Sequence, residues 1–270
     1  MHTVDTDADP EITEEELRKA IDERQLRLYY LPKVECETLI LKGFEALLRW
    51  EHPTRGLVMP DQFVRVSEDA GLIGRVTEMV VDEALEWYRA SCGIQGLTLS
   101  INMSAKRLSD LDFADWLQSR CRRVSVRPEC VILEISESAV MSERLHALDM
   151  FNRLLDKGFR VAVDQFGIGR YSLSILARLP FSEVKIEKSF AMSAKHSDDA
   201  RAFIKATTEL AHRMSLTVVA EGVEDRVALE YVRRVRCDFI QGFLISRPMS
   251  GEQTREWMVN RHQMIKHMLI

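Results

Sequence analysis

Nowhere in the 270 residues does an apolar run approach the roughly 18 that a membrane span requires. The first residues also lack the basic-then-apolar order of a secretory leader. Membrane attachment is therefore expected only through another domain, and the chain is expected in the cytoplasm. Cysteine is sparse: Cys36, Cys92, Cys121, Cys130 and Cys237 are odd in number, widely spread and form no CxxC pair. That excludes a disulfide framework and fits reduced thiols. Positive charge falls short too, with 37 basic against 42 acidic residues and a net charge of −5. The sign is wrong for holding nucleic acid through its phosphates, so a small anionic ligand would need local help such as metal ions. The seven histidines show no ligand spacing such as HxxxH, which removes the usual signature of an imidazole metal site.

What is present is 46% hydrophobic and 29% charged, enough for a sizeable core. Residues 1–12, with Asp5, Asp7, Asp9 and Pro10 among them, read as a linker or N-terminal tail, and residues 13–270 as one folded domain. Thr13 followed by Glu16 is a capping-box spacing before the periodic Leu17, Ala20 and Ile21. Eight β-rich runs follow, at 26–34, 39–50, 97–104, 131–138, 159–166, 182–189, 216–222 and 237–242. Helical patterns separate most of them, at 62–90, 105–123, 143–157, 198–213 and 225–235, and 251–268 closes the chain. The alternation predicts an α/β fold, a modified TIM (β/α)8 barrel. Only residues 36–38 separate the first two strands, too few for a crossover helix, so that first strand pair is expected to be antiparallel.

The strand ends are polar where barrel strands otherwise stay apolar: Glu45, Asn102, Glu134, Asp164, Lys185, Glu221 and Gln241. One such residue alone reads equally well as a helix cap. Seven of them on the face where barrels gather their chemistry do not. Three carboxylates and an Asn carbonyl make an all-oxygen set suited to a hard divalent cation. Lys185 can orient or deprotonate a water, or pair with Asp164. Other features have plain readings. Met249, Met258, Met264 and Met268 with Trp257 form a packed face of a terminal helix. The basic runs from Arg120 to Arg123 and from Arg233 to Arg236 are solvated helix faces.

At these positions the chain resembles the EAL domain family. Glu45-Ala46-Leu47, followed by Leu48-Arg49-Trp50, is similar to the signature that names it. Asn102-Met103-Ser104, Glu134-Ile135-Ser136-Glu137, Asp164-Gln165-Phe166-Gly167, Lys185-Ile186-Glu187, Glu221-Gly222-Val223-Glu224 and Gln241-Gly242-Phe243 resemble its later motifs, in order over residues 14 to 255. The resemblance implies a bacterial signalling barrel that hydrolyses cyclic di-GMP to pGpG with two Mg²⁺ or Mn²⁺ ions, Ca²⁺ being an inhibitory ion. It makes Glu45, Asn102, Glu134 and Asp164 metal ligands. Lys185, Glu221 and Glu45 become catalytic, Arg49, Gln241 and Leu47 substrate-binding, and Glu137 a loop support. It also implies a homodimer working with sensor or regulatory domains, without nucleic acid.

Four departures qualify that picture. Gln165 stands where the family has a second Asp for the second metal; it is neutral and one methylene longer. Leu31 replaces a ligand-touching Gln, and Glu187 replaces an Asp. The loop Ile168-Gly169-Arg170-Tyr171-Ser172-Leu173 differs from the family's usual Thr-Gly-Tyr-Ser-Ser-Leu. The expectation is a cyclic di-GMP-binding domain with impaired or weak metal-dependent phosphodiesterase activity. The alternatives are a fully active phosphodiesterase and a catalytically dead barrel acting through protein partners.

Overall fold

The computed structural model describes residues 11–91, 96–169 and 176–269, apart from the side chains of 144, 145 and 262–269. The tail over residues 1–10, Cys92 and the loop residues 170–173 lie outside it. Along the chain run α1 (Glu14–Asp22), β1 (Leu26–Glu35), β2 (Leu41–His52), β3 (Gly56–Val58), α2 (Pro60–Asp69), α3 (Ile73–Ser91) and β4 (Thr98–Asn102). Then come α4 (Phe113–Val124), β5 (Val131–Ser136), α5 (Glu137–Ser142), α6 (Arg144–Asp156), β6 (Arg160–Phe166) and β7 (Glu183–Ile186). The described residues end with α7 (Lys188–Ser193), α8 (Asp198–Arg213), β8 (Thr217–Ala220), α9 (Arg226–Arg234), β9 (Phe239–Ile240), β10 (Met249–Ser250) and α10 (Gly251–Leu269).

The chain divides into two compact units, Met1–Arg27 with Leu48–Met79, and Leu28–Leu47 with Val80–Ile270. In the first, the capping box is made: the Thr13 hydroxyl accepts from the Glu16 amide at 3.2 Å, and the Thr13 amide donates to the Glu16 carboxylate at 2.9 Å. β3 folds back antiparallel on the outer end of β2, and Trp50 meets Phe63 of α2 edge-on at 5.7 Å. The single helix expected over 62–90 is two helices, because Gly71 turns left-handed between them at φ +70°.

The second unit is a closed eight-stranded barrel. Its order is β1-β9-β8-β7-β6-β5-β4-β2, and a β1–β2 pairing closes it. From β2 round to β9 the neighbours are parallel. β1 runs antiparallel to β9 and to β2, as its short connection to β2 demands. The strands are apolar runs because helices cover the outside while side chains fill the inside; all four residues of β7 are buried. Outside β1 and β2, Tyr30 stacks on Trp87 at 3.6 Å, and Phe44 stands edge-on to Trp87 and Trp257. That seats α10, whose Trp257 is buried.

Three local expectations change. Met249 belongs to β10 and not to the terminal helix. The helix expected over 105–123 is a 3-10 turn at Ala105–Arg107 followed by α4, because Ser109, Asp110 and Asp112 favour turn and cap conformations over a continuous helix. Nor are the basic runs merely solvated. Arg120 and Arg123 both pair with Asp82, and Arg233 donates to the carbonyls of Cys36 and Glu37.

Candidate functional site

β7 carries Lys185 into the barrel, where its side chain is wholly buried. Its Nζ stands 2.5 Å from Glu134, 2.9 Å from Glu221, 3.0 Å from Glu45 and 3.4 Å from Asp164. Those carboxylates come from β5, the end of β8, β2 and β6, so five elements far apart in sequence converge on one ammonium. Of the two roles open to Lys185 on sequence, ion pairing is therefore present, and with four carboxylates in place of one. Asn102 at the end of β4 and Gln241 after β9 each donate to Glu45 at 3.2 Å. Glu45 itself lies well inside β2 and not at its end.

Four carboxylates around one lysine leave three negative charges in excess, a state that burial makes costly. The group responds unevenly. Burial and the neighbouring Glu45 charge push Glu134 well above the carboxylate range. Burial likewise lifts Glu221 to about 8. Burial would raise Glu45 too, but the Lys185 charge and its hydrogen bonds to Lys185 and Asn102 outweigh it and hold Glu45 low. Burial opposes the Lys185 charge, yet the surrounding carboxylates raise its pKa. Two buried oxygens, Oε1 of Glu134 and Oε1 of Gln241, have no hydrogen-bond partner, and Oδ1 of Asp164 has only its ion pair with Lys185 at 3.4 Å. Excess negative charge and orphaned oxygens are what a hard cation relieves. Among the described residues, however, no three His, Cys, Asp or Glu side chains are grouped as around an ion; the carboxylates close on the ammonium.

Next to Asp164 the ladder breaks. β6 and β7 pair at Val163–Val184 and again at Phe166–Ile186, so Asp164 and Gln165 face a single residue, a bulge. Gln165 takes the left-handed conformation, φ +53°, and is exposed. The turn that follows is held by Glu137, buried at the start of α5, whose carboxylate accepts from the amides of Gly167 at 3.1 Å and Gly169 at 3.3 Å.

Arg49 belongs to the first compact unit, where its guanidinium donates to the Leu48 carbonyl at 2.8 Å. Leu47 and Leu31 are half-buried on β2 and β1. Glu187 caps α7 by accepting from the Ser189 amide at 2.8 Å.

Two features escaped the sequence reading. Lys33 on β1 and Glu183 at the start of β7 form a buried ion pair with both Nζ···O distances 2.8 Å. The sequence signals it weakly, since Lys33 shares β1 with Arg27 and Glu35, and Glu183 shares β7 with Lys185. Phe243, two residues past Gln241, is 46% exposed and lies under the Arg247 guanidinium at 4.4 Å. In the sequence Phe243 figured only as the last residue of the Gln241-Gly242-Phe243 motif, with no role of its own.

The profile of the family described as EAL domain matches residues 14–248. The chain is 38% identical over 240 residues to the bifunctional diguanylate cyclase/cyclic di-GMP phosphodiesterase MucR of Pseudomonas aeruginosa, covering 88% of this chain and 35% of that protein. It is 35% identical over 249 residues to the oxygen sensor protein DosP of Escherichia coli, covering 90% of this chain and 30% of that protein. The chain thus spans about a third of the length of these curated relatives. Among solved structures, the MucR phosphodiesterase in complex with c-di-GMP superposes with a TM-score of 0.84 at 38% identity, over 89% of this chain and 98% of that one. The EAL enzyme Bd1971 in its cAMP- and cyclic-di-GMP-bound form gives 0.86 at 26% identity, over 90% and 67%.

Proposed function

Because the chain belongs to the EAL domain family, we propose that it binds cyclic di-GMP at the carboxyl ends of its barrel strands and hydrolyses it weakly to pGpG. The observation that carries this reading is the cluster of Glu45, Glu134, Asp164 and Glu221 around the buried Lys185, with two oxygens left unpartnered. Glu45, Asn102, Glu134 and Asp164 would hold a divalent cation, Mg²⁺ or Mn²⁺. Such an ion, when bound, supplies charge stabilisation at phosphorus and a more acidic water.

The chain's own residues do the rest. The Lys185 ammonium, a donor on all its protons, orients the attacking water beside Glu221. Gln241 donates to the nucleotide, and Leu47 lends it an apolar contact. Phe243, with Arg247 over its ring, offers a flat face for a purine base. Glu137 holds the turn after Gln165.

Turnover is weak because Gln165 brings no negative charge to the second-ion position. The four described cysteines are free thiols, which supports a reducing compartment. The relatives are much longer than this chain, which supports a domain joined to sensor or regulatory parts. Within such a protein it acts as a homodimer, with an isologous interface.

Calorimetric titration of cyclic di-GMP with Ca²⁺, then with Mg²⁺ or Mn²⁺, tests the reading, the samples being chromatographed for pGpG. Binding with slow product is the expected result. Rapid turnover would make the domain a full phosphodiesterase, and neither binding nor product would sink the nucleotide site.

A further inference from the structure

The turn that begins at Gln165 touches more than the barrel strands. Gly167 has φ +111°, and a Cβ built on it would lie 2.4 Å from Cζ of Phe203 and 2.8 Å from Cε2 of Phe190. The backbone of the turn therefore rests against the edges of those rings. They stack on each other at 4.0 Å and 15°, and Phe166 leans on Phe203 at 6.3 Å. On its other side the turn meets Glu137, whose carboxylate takes two of its amides. A Cβ at Gly169 would fall 2.1 Å from Oε1 of that residue. The turn is gripped between a buried carboxylate and an aromatic pair.

That grip has a physical purpose. A left-handed glutamine is a conformation that persists only where the surroundings hold it. The rings belong to α7 and α8 and are half-buried. They also line a groove of about 380 Å³ with Ser189, Ser193 and Ala200. Open space beside the rings allows them to be changed without disturbing the packed barrel.

We infer that Phe190 and Phe203 are positioning residues, an aromatic seat that fixes the turn at Gln165 and through it the aim of the adjacent Asp164. The functional half of this inference rests on the proposed cation-binding role of Asp164. The seat itself does not.

The test compares Phe203→Leu and Phe190→Leu with Phe190→Tyr, which keeps the ring and places its hydroxyl on Cζ, not on Cε2, its atom nearest Gly167. Two quantities are read: amide hydrogen exchange over residues 166–169, and affinity for Mn²⁺ alone. Each Leu variant is expected to speed exchange at Gly167 and Gly169 by roughly tenfold and to weaken Mn²⁺ binding by roughly threefold or more, with the unfolding midpoint close to that of the unaltered protein. Phe190→Tyr should keep both at the values of the unaltered protein. Unchanged exchange in both Leu variants overturns the seat. Faster exchange with unaltered Mn²⁺ affinity overturns the link to Asp164. If the unaltered protein takes up no Mn²⁺, it is the cation reading that has failed, and the exchange rates decide the seat alone.

Discussion

Gln165 differs from an aspartate at its position in two separable ways, charge and conformational ease. It lacks the negative charge a second cation needs, and its side chain is poorly suited to φ +53°, where Asp, Asn and Gly are the usual residues. Two substitutions distinguish these effects. Gln165→Asp is expected to raise pGpG formation at least about tenfold, equivalent to about 1.4 kcal/mol of barrier. Gln165→Gly should leave turnover low while raising unfolding free energy by roughly 0.5–1 kcal/mol in a denaturant melt. An equal rise in both would place the defect in backbone geometry instead of charge, and no rise in either would place it away from Gln165.

Lys185 offers a second residue-scale test. Replacing it with Met removes the positive charge that pairs with four carboxylates. In the presence of a chelator, Lys185→Met should cost about 3 kcal/mol or more. Adding Mn²⁺ should recover much of that loss, because a bound cation stabilises the folded state by mass action. Thermal midpoints with and without the ion decide it; an ion-independent deficit would argue against a cation among these carboxylates.

Between elements, the Lys33–Glu183 pair ties β1 to β7 across the barrel interior. Two ions this deeply buried gain little over an apolar pair, but either one alone is expensive. Lys33→Met is therefore expected to destabilise by about 3–5 kcal/mol, and Lys33→Met with Glu183→Met together by far less. Additive losses in the double variant would show that the two charges do not compensate each other.

At the start of α1, Thr13→Ala should remove about 1 kcal/mol. The hydrogen bond from the Thr13 backbone, foremost, lowers the pKa of Glu16 below the ordinary carboxylate range. A lowered folded pKa gives stability that is present above the unfolded value and lost as pH falls through the folded one. Because alanine keeps that backbone N–H, the Thr13→Ala deficit should vary little with pH, whereas a Glu16→Gln deficit should be present at neutral pH and shrink below about pH 4. A Glu16→Gln deficit that grew on acidification would contradict the capping box.

Over the whole molecule, burial governs the thiols. It pushes Cys36 and Cys121 up to about 12 and Cys237 to about 11. At pH 8 all three should resist a thiol reagent in the native protein and react on unfolding. Rapid native labelling of any one would show that its part of the barrel wall opens.

Much of this molecule follows from local chemistry. Alternating strands and helices predicted the barrel, because a parallel strand must be reached by a crossover long enough to be a helix. The short link between β1 and β2 predicted their antiparallel pairing by the same rule. Thr13 and Glu16 announced the first helix, since a capping box needs only a spacing of three. Glu45, Glu134, Asp164, Lys185 and Glu221 were visible as polar residues in apolar strands. Their common target was not. Only the closed barrel brings residues 45 to 221 around one ammonium, and only there does burial turn excess charge into unequal pKa values and orphaned oxygens. The left-handed Gln165, the Lys33–Glu183 pair and the rings beneath Gly167 also belong to the tertiary structure. Each depends on partners 20 to 150 positions away, and such distances leave no period, cap or spacing in the chain for a reader to find.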